Sequence, residues 1–504
     1  MRYTVRLSAV LLAGFALNAD VRVPALISDH MVLQQEAPVR IWGRADRGEQ
    51  VSVRFLNQTV AVKADASGKW QAFLMPMKSG AAGDMTISGR NTITVRDVLV
   101  GEVWVASGQS NMQWTVDRSD NAEEEIRRAN FPQIRFFNVK RVVADAPAAD
   151  VEAVWEVCSP ATVAKTSAVG YYFSRHLHQQ RGFPVGLIHT SWGGTPAQSW
   201  TSRSALETEP ALKFYFDDWQ KTLDNYPAAK EKYDRAMEEW KKKAAEAKRS
   251  GASVPPQPRP PAGPGHQNTP AGLYNAMIAP LTPYAIRGAI WYQGESNANE
   301  RQAFSYRRLF RLMIEDWRQA WAQGPFPFLF VQLANYKANE YWPVLRESQT
   351  DTLNLANTGM AVTIDIGNPK NIHPTNKQDV GKRLALWARA MTYGERNLAY
   401  SGPLYRQMAV EGSRIRLWFD HAGPGLAARG GGPLKGFELA GKDGNYVPAT
   451  AAIDGSTVVV SNPGLSEAVS VRYAWSDDPS DANLINKDGL PASPFRAGEN
   501  VPLR

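Results

Sequence analysis

Hydrophobic and polar residues alternate in short runs over residues 20–97, and no long helical period occurs there. Turn-forming residues such as Gly48, Asn57 and Gly68 separate strand-like runs at 39–42, 51–55 and 92–95. Short strands at regular spacing, each followed by a turn, are typical of a β-sandwich. The pattern therefore predicts an N-terminal β-rich domain over residues 20–97.

From residue 98 the pattern changes to nearly continuous apolar runs that alternate with amphipathic helical segments. The predicted strands cover 98–107, 134–139, 185–191, 288–293, 327–333 and 359–365. The predicted helices cover 121–129, 169–180, 304–321 and 376–391. Apolar strands alternating with helices favour an α/β fold, a parallel sheet with helices on both faces.

Two further regions flank or interrupt this α/β segment. Residues 205–270 form a predicted insertion, which begins as a charged helix and ends in the proline-rich run PPQPRPPAGPG. Short strand-like runs return from residue 400, so we predict a C-terminal β-rich domain over 400–504 that resembles a sandwich. The catalytic domain is then expected over 98–399.

The N-terminus has the order of a secretory signal peptide. Arg2 and Arg6 precede an apolar run from Leu7 to Leu17, and small and polar residues follow. The run is too short to span a bilayer, and no other stretch is long and apolar enough. We predict a signal peptide over 1–19 and export to the periplasm or the extracellular space.

Composition narrows the possible partners. The chain of 504 residues has one cysteine, Cys158, so no disulfide can form within it, and a buried structural thiol is expected. The net charge of +8 is spread along the chain, and the densest run mixes both signs, so no nucleic-acid partner is expected. Nothing in the sequence indicates an oligomeric state.

Polar, glycine-rich segments follow four of the predicted strands. They read GQSNM (108–112), WGGTP (192–196), GESNA (294–298) and NPKNIHPTNK (368–377). Ligands of parallel sheets bind beyond the carboxyl ends of the strands, so these segments are expected to meet. Together they could supply a nucleophile, a base and oxyanion donors for acyl transfer.

Individually, each candidate also has an ordinary structural explanation. Ser110 could be a nucleophile or a helix N-cap. Gly193 and Gly194 could let the backbone approach a carbonyl, or could form a tight turn. Gln293 could donate to an oxyanion or to loop backbone, and His373 could be a base with an ordinary pKa or a surface residue.

The sequence predicts no metal and no cofactor. His176 and His178 lie two residues apart on a predicted helix and therefore point to different faces. No H-E-x-x-H motif, cysteine cluster, Walker A motif or dinucleotide fingerprint is present.

Taken in order, the four segments resemble the sialate O-acetylesterase family of Ser-Gly-Asn-His hydrolases. The resemblance implies a flavodoxin-like sheet and spans about 100 to 390. It also implies Ser110 as nucleophile and His373 as base, with Ser110, Gly193 and Gln293 as oxyanion donors. Gly194 is the rival of Gly193, and Glu295 and Asn297 are the rivals of Gln293.

The acid of the triad departs from the family pattern. The superfamily has aspartate three residues before the histidine, where this chain has Lys370, and related sequences often have aspartate at the position of Asn371. The nearest upstream acid is Asp365, which a loop could bring back to the imidazole. A Ser–His dyad, with Asn371 or a backbone carbonyl orienting the ring, is the alternative.

The expected reaction is removal of O-acetyl groups from a carbohydrate through an acetyl-enzyme, without a cofactor. The substrate is expected to be an acetylated glycan, either sialic acid or a hemicellulose such as xyloglucan or xylan. Trp192 and Asn111 are the expected substrate contacts, since tryptophans can stack on sugar faces. The rival hypotheses are a lipase or thioesterase of the same superfamily and a carbohydrate-binding protein without activity.

Overall fold

The computed structural model describes residues 20–338, 341–499 and 501. The signal peptide predicted over 1–19 lies outside the described residues. Cys158 is buried, as expected, and burial raises the pKa of its thiol to about 12.

The N-terminal region is β-rich, as predicted. Its strands are β1 (Val32–Gln34), β2 (Val39–Arg44), β3 (Gln50–Phe55), β4 (Gln58–Lys63), β5 (Lys69–Leu74), β6 (Ala82–Ser88) and β7 (Thr92–Gly108). β2 and β5 form a separate two-stranded antiparallel sheet, whereas β4, β3, β6 and the first half of β7 pair antiparallel with one another. Alternate residues of β5 are buried, as expected for strands with one face on a core.

Strand β7 belongs to two parts of the molecule. Residues 92–99 pair with β6, and residues 102–108 pair in parallel with β10 of the central sheet. The second half of β7 is buried without interruption, which its apolar run VLVGEVWVAS explains. The predicted boundary between residues 97 and 98 therefore falls inside a continuous strand.

The central sheet has the order β13-β12-β11-β7-β10-β8-β9. The strands after β7 are β8 (Phe131–Asn138), β9 (Trp155–Cys158), β10 (Val185–Ser191), β11 (Gly288–Tyr292), β12 (Phe328–Val331) and β13 (Thr358–Ala361). All neighbours on this path pair in parallel except β9, which is antiparallel to β8 and was not predicted. The α/β fold class is confirmed. The chain fills one side of β7 with β8 and β10 before β11 pairs on its other side, so the order reverses at β7.

Helices cover both faces of this sheet. They are α1 (Ser110–Gln113), α2 (Ala122–Arg127), α3 (Ala168–Arg181), α4 (Arg203–Thr208), α5 (Phe214–Ser250), α6 (Tyr306–Trp321), α7 (Trp342–Asp351) and α8 (Lys377–Trp387). Trp104 of β7 packs edge-on against Phe173 of α3, whereas Trp291 of β11 packs against Trp317 of α6. Gly288 pairs with Trp104, and Trp291 is three residues further along β11, so the two tryptophans lie on opposite faces.

The insertion contains α4 and α5 and ends in the proline-rich segment. α5 is 37 residues long and mostly exposed, with both charge signs along its surface. In the described part of the chain, no helix is both long enough and apolar enough to cross a membrane.

The C-terminal region is a second β-rich unit, as predicted. Its strands are β14 (Leu404–Glu411), β15 (Arg414–Asp420), β16 (Leu426–Ala428), β17 (Phe437–Ala440), β18 (Tyr446–Pro448), β19 (Thr450–Asp454), β20 (Thr457–Ser461), β21 (Ser470–Tyr473), β22 (Leu484–Asn486) and β23 (Phe495–Gly498). They form four-stranded sheets β14-β15-β20-β19 and β18-β17-β21-β23, and β16 pairs with β22. Fully buried Arg346 of α7 donates to the carbonyls of Ser476 and Asp477, which joins this unit to the α/β core.

Candidate active site

The carboxyl ends of β7, β10 and β11 meet at one edge of the sheet. Gly108 is in register with Ser191 of β10 on one side and with Tyr292 of β11 on the other. The segments GQSNM, WGGTP and GESNA therefore leave the sheet side by side. This edge lies where the strand order reverses, the usual position of a ligand site in such sheets.

The turn after β7 places Ser110 at this edge. Gly108 has a φ of +136°, and a Cβ there would meet the carbonyl oxygen of Tyr292 at 2.2 Å, so only glycine fits. The backbone N–H of Gln109 donates to the same carbonyl at 2.9 Å. Ser110 is then the first residue of α1 and is partly exposed. The backbone N–H groups of a first helical turn lack intrahelical partners, so that of Ser110 is available to an oxyanion.

Gly193 lies directly against Ser110. A Cβ at Gly193 would be 3.2 Å from the Cβ of Ser110. The backbone N–H of Gly193 donates to Oε1 of the Gln113 side chain at 2.6 Å. A Cβ at Gly194 would meet only Gln267, so Gly193 is the glycine beside the serine.

His373 belongs to the same cluster as the serine turn. Asn111, the residue after Ser110, donates to the carbonyl of Ile372 at 3.0 Å. The Trp114 ring stacks on the imidazole, with ring centroids 5.0 Å apart and an interplanar angle of 19°. Residues that directly follow Ser110 thus hold the segment that carries His373.

The environment of His373 favours the neutral imidazole. Burial lowers its pKa, and the nearby cations Lys377 and Arg118 lower it further. A neutral ring can accept a proton, as a general base must. Within the described residues, no carboxylate and no carbonyl hydrogen-bonds to this ring. Asn371 accepts the backbone N–H of His373 at 3.0 Å and so orients the backbone.

Asp365 binds an arginine and does not orient His373, so its predicted role as the acid of the triad is wrong. Its two carboxylate oxygens accept hydrogen bonds from the Arg383 guanidinium of α8 at 2.6 and 2.7 Å, and Arg429 lies 3.8 Å away. Both members of the Asp365–Arg383 pair are buried. The pair stabilises the turn after β13, and the carboxylate makes no contact that could orient His373. The described residues thus offer His373 no aspartate partner from this turn.

Gln293 also departs from its predicted role as an oxyanion donor. Its amide nitrogen donates to the carbonyl of Thr195 at 3.2 Å and to Oδ1 of Asn297 at 2.7 Å, so both amide hydrogens are used. Its Oε1 accepts from the Tyr306 hydroxyl at 2.8 Å. Asn297 accepts the N–H of Ala197 at 2.9 Å, so this pair ties the loops after β10 and β11 together.

The two predicted substrate contacts differ in position. Trp192 follows β10, is partly exposed and donates its backbone N–H to the carbonyl of Gly108, which places it beside the serine turn. Asn111 is 1% exposed, and its side chain is fully hydrogen-bonded within the protein. Asn111 is therefore a structural residue of the site and contacts no substrate in this arrangement.

A buried polar network under the serine turn was not recognised from the sequence. Asn111 donates to Oε1 of Glu295 at 2.6 Å and accepts from Nζ of Lys377 at 2.6 Å. Both ionisable groups are deeply buried, and burial lowers the pKa of Lys377 to about 7 and raises that of Glu295. Nζ of Lys377 also lies 5.3 Å from the Tyr292 ring and 5.9 Å from the Trp114 ring.

In the sequence, only the positions of Lys377 and Glu295 close to the predicted site motifs could have indicated this network. Lys377 lies four residues after His373 and begins α8, and Glu295 lies in the segment after β11.

Among the residues that the structure describes, no group of three or more His, Cys, Asp or Glu side chains is arranged to hold a metal ion.

A mainly parallel α/β sheet that brings a serine, a histidine and backbone N–H groups to its carboxyl edge is the arrangement of an ester hydrolase. The chain belongs to the family of carbohydrate esterases described as sialic acid-specific acetylesterase, whose family model matches residues 100–251 and 265–390. The chain is thus an esterase.

Several relatives and one solved structure resemble it over nearly their whole length. The sialate O-acetylesterase of Rattus norvegicus is 32% identical, with 94% of each chain covered. That of Homo sapiens is 33% identical, with 97% of this chain and 95% of the relative covered. The crystal structure of a carbohydrate acetylesterase from Xanthomonas citri is 38% identical and covers 95% of this chain and 99% of its own, with a TM-score of 0.81.

Proposed function

We propose that the protein is a carbohydrate O-acetylesterase that removes acetyl groups from sugar hydroxyls, with Ser110 as nucleophile and His373 as base. One observation carries the assignment of roles. Gly193 contacts the serine on one side, and Asn111 and Trp114 hold the histidine segment on the other. The names of the relatives support the acetylated sugar as substrate class.

The reaction proceeds in two steps. Neutral His373 removes the hydroxyl proton of Ser110 while Oγ forms a bond to the acetyl carbonyl carbon, and the carbonyl electron pair moves to oxygen. The oxyanion accepts hydrogen bonds from the backbone N–H groups of Ser110 and Gly193. When the bond between the acyl carbon and the sugar oxygen breaks, the imidazolium gives its proton to the leaving sugar oxygen. Water then attacks the acetyl-enzyme with His373 as base, and acetate and free Ser110 result.

Binding of the oxyanion requires a side chain to move. Oε1 of Gln113 now accepts the N–H of Gly193 at 2.6 Å, and the substrate carbonyl oxygen takes its place. Gln113 is partly exposed, so its amide can turn towards water at little cost. The amide therefore keeps the N–H group ordered before the substrate arrives.

In the proposed dyad, packing orients the imidazole of His373, which is the role of the aspartate in a Ser–His–Asp triad. Stacking on Trp114 fixes the plane of the imidazole, and the hydrogen bond from Asn111 to Ile372 fixes its backbone. Because burial, and after it the cations Lys377 and Arg118, keep the pKa of His373 below its usual value, the neutral form that a base requires is favoured.

The sugar is either a sialic acid or a hemicellulose unit, and Arg118 distinguishes them. Its guanidinium stacks on the Trp114 ring at 3.8 Å, next to His373, and could bind the carboxylate of a sialic acid. Arg118→Gln raises KM for an acetylated sialoside if that is the substrate. An acetylated xyloglucan or xylan oligosaccharide would be hydrolysed with unchanged KM.

The assay is acetate release from acetylated sialosides, acetylated hemicelluloses and esters of increasing acyl length. Ser110→Ala is expected to abolish acetate release, whereas Ser204→Ala, at an exposed serine of α4, serves as the matched control. Activity that survives Ser110→Ala would reject the mechanism. Preference for long acyl chains would indicate a lipase or thioesterase, and no acetate from any sugar would indicate a binding protein.

The same proposal includes export. The charge and apolar pattern of residues 1–19 supports cleavage of a signal peptide and activity in the periplasm or outside the cell. N-terminal sequencing of the protein from the periplasmic or culture fraction tests this. A chain that retains Met1 in the cytoplasmic fraction would contradict it.

A further inference from the structure

A groove of about 760 Å³ lies on the N-terminal β-rich region. It runs over β2 and β5 and is bordered by residues 22–24 and by Ala149 and Asp150 of the α/β core. Its lining includes none of Ser110, Gly193 and His373, so the groove is separate from the candidate active site.

One face of the β2–β5 sheet, from which Trp42 also packs edge-on against Tyr284 with ring centroids 6.3 Å apart, carries a repeating pattern. Arg40, Trp42 and Arg44 alternate along β2 and therefore point to the same face, while the intervening residues face the core. The two arginines are about 13 Å apart, with the tryptophan between them. Lys69 is directly opposite Arg44, and Gln71 is directly opposite Trp42. An aromatic ring between two cations suits a chain of rings that carries negative charge.

The groove is cationic and its charges are unpaired. Its lining contains five cations, Arg22, Arg40, Arg44, Lys63 and Lys69, against the two carboxylates Asp65 and Asp150. Both carboxylates accept backbone N–H groups, of Ser67 and Lys69 and of Ala25 respectively. Among the described residues, none of the five cations forms an ion pair.

The arrangement is unfavourable without a ligand. Like charges directly opposite each other in a sheet, such as Arg44 and Lys69, destabilise the pair of strands. Nε of Arg40 and Nε1 of Trp70 are buried without a hydrogen-bond partner, and Trp70 is only 3% exposed. Buried donors without acceptors are costly, and both residues line the groove. An anionic ligand would relieve the repulsion between Arg44 and Lys69, whereas the two buried donors have no surface that a ligand could reach.

We propose that this groove is a non-catalytic binding site for a carboxylated oligosaccharide. Sugar rings would stack on Trp42, and their carboxylates would pair with the arginines on either side of it. Sugar hydroxyls would accept from the amide of Gln71, which lies directly opposite Trp42. A glycan is favoured over other polyanions because an aromatic ring and an amide, Gln71, share the face with the cations, and because the attached domain is a carbohydrate esterase.

The test is isothermal titration of the full chain with tetragalacturonate, with its fully methyl-esterified form as the neutral control. We expect binding of the carboxylated probe only, weakened by salt. Arg44→Glu places a carboxylate opposite Lys69, so it is expected to raise Kd at least about tenfold while the melting temperature is unchanged or higher. Trp42→Ala is likewise expected to weaken binding, and Arg54→Gln, at an exposed cation of β3, is the matched control.

Three results would overturn the proposal. One is equal binding of the methyl-esterified probe, and another is an equal loss of binding in Arg54→Gln and Arg44→Glu. The third is tighter binding of single-stranded DNA or of phosphatidylglycerol vesicles than of tetragalacturonate, which would assign the groove to another polyanion. Ser110→Ala is expected to bind the probe normally, so a failure of the esterase mechanism and a failure of this proposal are separately visible.

Discussion

Lys377→Met tests how the buried network controls the base. The substitution keeps an apolar chain of similar volume but removes the amine that donates to Asn111 and lies below Trp114. In the native protein burial lowers the pKa of His373, and the Lys377 cation lowers it further. Activity requires the neutral imidazole, so it is lost as the pH falls through that pKa. Without the cation the pKa rises, and the acidic limb of the profile of kcat/KM moves to higher pH.

The size of the shift follows from the geometry. The Trp114 ring lies 5.0 Å from the imidazole and 5.9 Å from Nζ of Lys377. The two charges are therefore at most about 11 Å apart, the two distances laid end to end. Unit charges at that separation interact by about 0.4–1.5 kcal/mol for effective dielectric constants between 80 and 20. The limb should move by about 0.3–1 pH unit.

The assay is the pH dependence of kcat/KM for a soluble acetyl ester, together with NMR titration of the His373 ring. The ring signal is assigned by its disappearance in His373→Gln. Lys382→Met, at an exposed lysine of the same helix, is the control and should leave the limb in place. A limb that stays fixed, or moves to lower pH, in Lys377→Met would refute the reasoning.

Three further substitutions separate stability from catalysis. Asp365→Asn breaks the buried pair with Arg383 and should lower the free energy of unfolding by about 3 kcal/mol, measured by denaturant titration. The shape of the pH profile of activity should be retained. A decrease in kcat without a loss of stability would instead show that Asp365 is the acid of a catalytic triad. Gly108→Ala forces a Cβ into the backbone of β11 and should lower the melting temperature sharply and abolish acetate release, and normal folding would contradict the described turn. Trp114→Leu removes the ring stacked on His373 and should lower kcat about tenfold with little change in KM; an effect on KM alone would mean that the ring binds substrate instead.

The sequence predicted the sheet well because its strands are buried on both faces. A strand of this kind is an unbroken apolar run, and the predicted strand at 288–293 matches β11 at Gly288–Tyr292. Short edge strands lack such a run, which explains why β9 was missed. The predicted strand at 98–107 covers only part of β7, because residues 92–97 continue it in a different sheet.

The site was predictable only to the level of backbone positions. Strand ends of a parallel sheet converge, so the motifs around Ser110, Gly193 and His373 could be brought together from order alone. The partner of a polar side chain depends on distances that the sequence does not contain. Asp365 pairs with Arg383, 18 residues further along the chain, and Gln293 donates to Thr195 in a different loop.

The long strand β7 has a consequence for how this protein can be rearranged. Its first half completes the sheet of the N-terminal region, and its last residue, Gly108, begins the turn of the nucleophile. A truncation at residue 98 would cut through a strand whose two halves pair in different sheets and share one continuous hydrophobic core. The N-terminal β-rich region therefore cannot be exchanged between enzymes as an independent domain. A replacement would have to end in a strand that continues into the central sheet with the same register, because that strand leads directly to the serine.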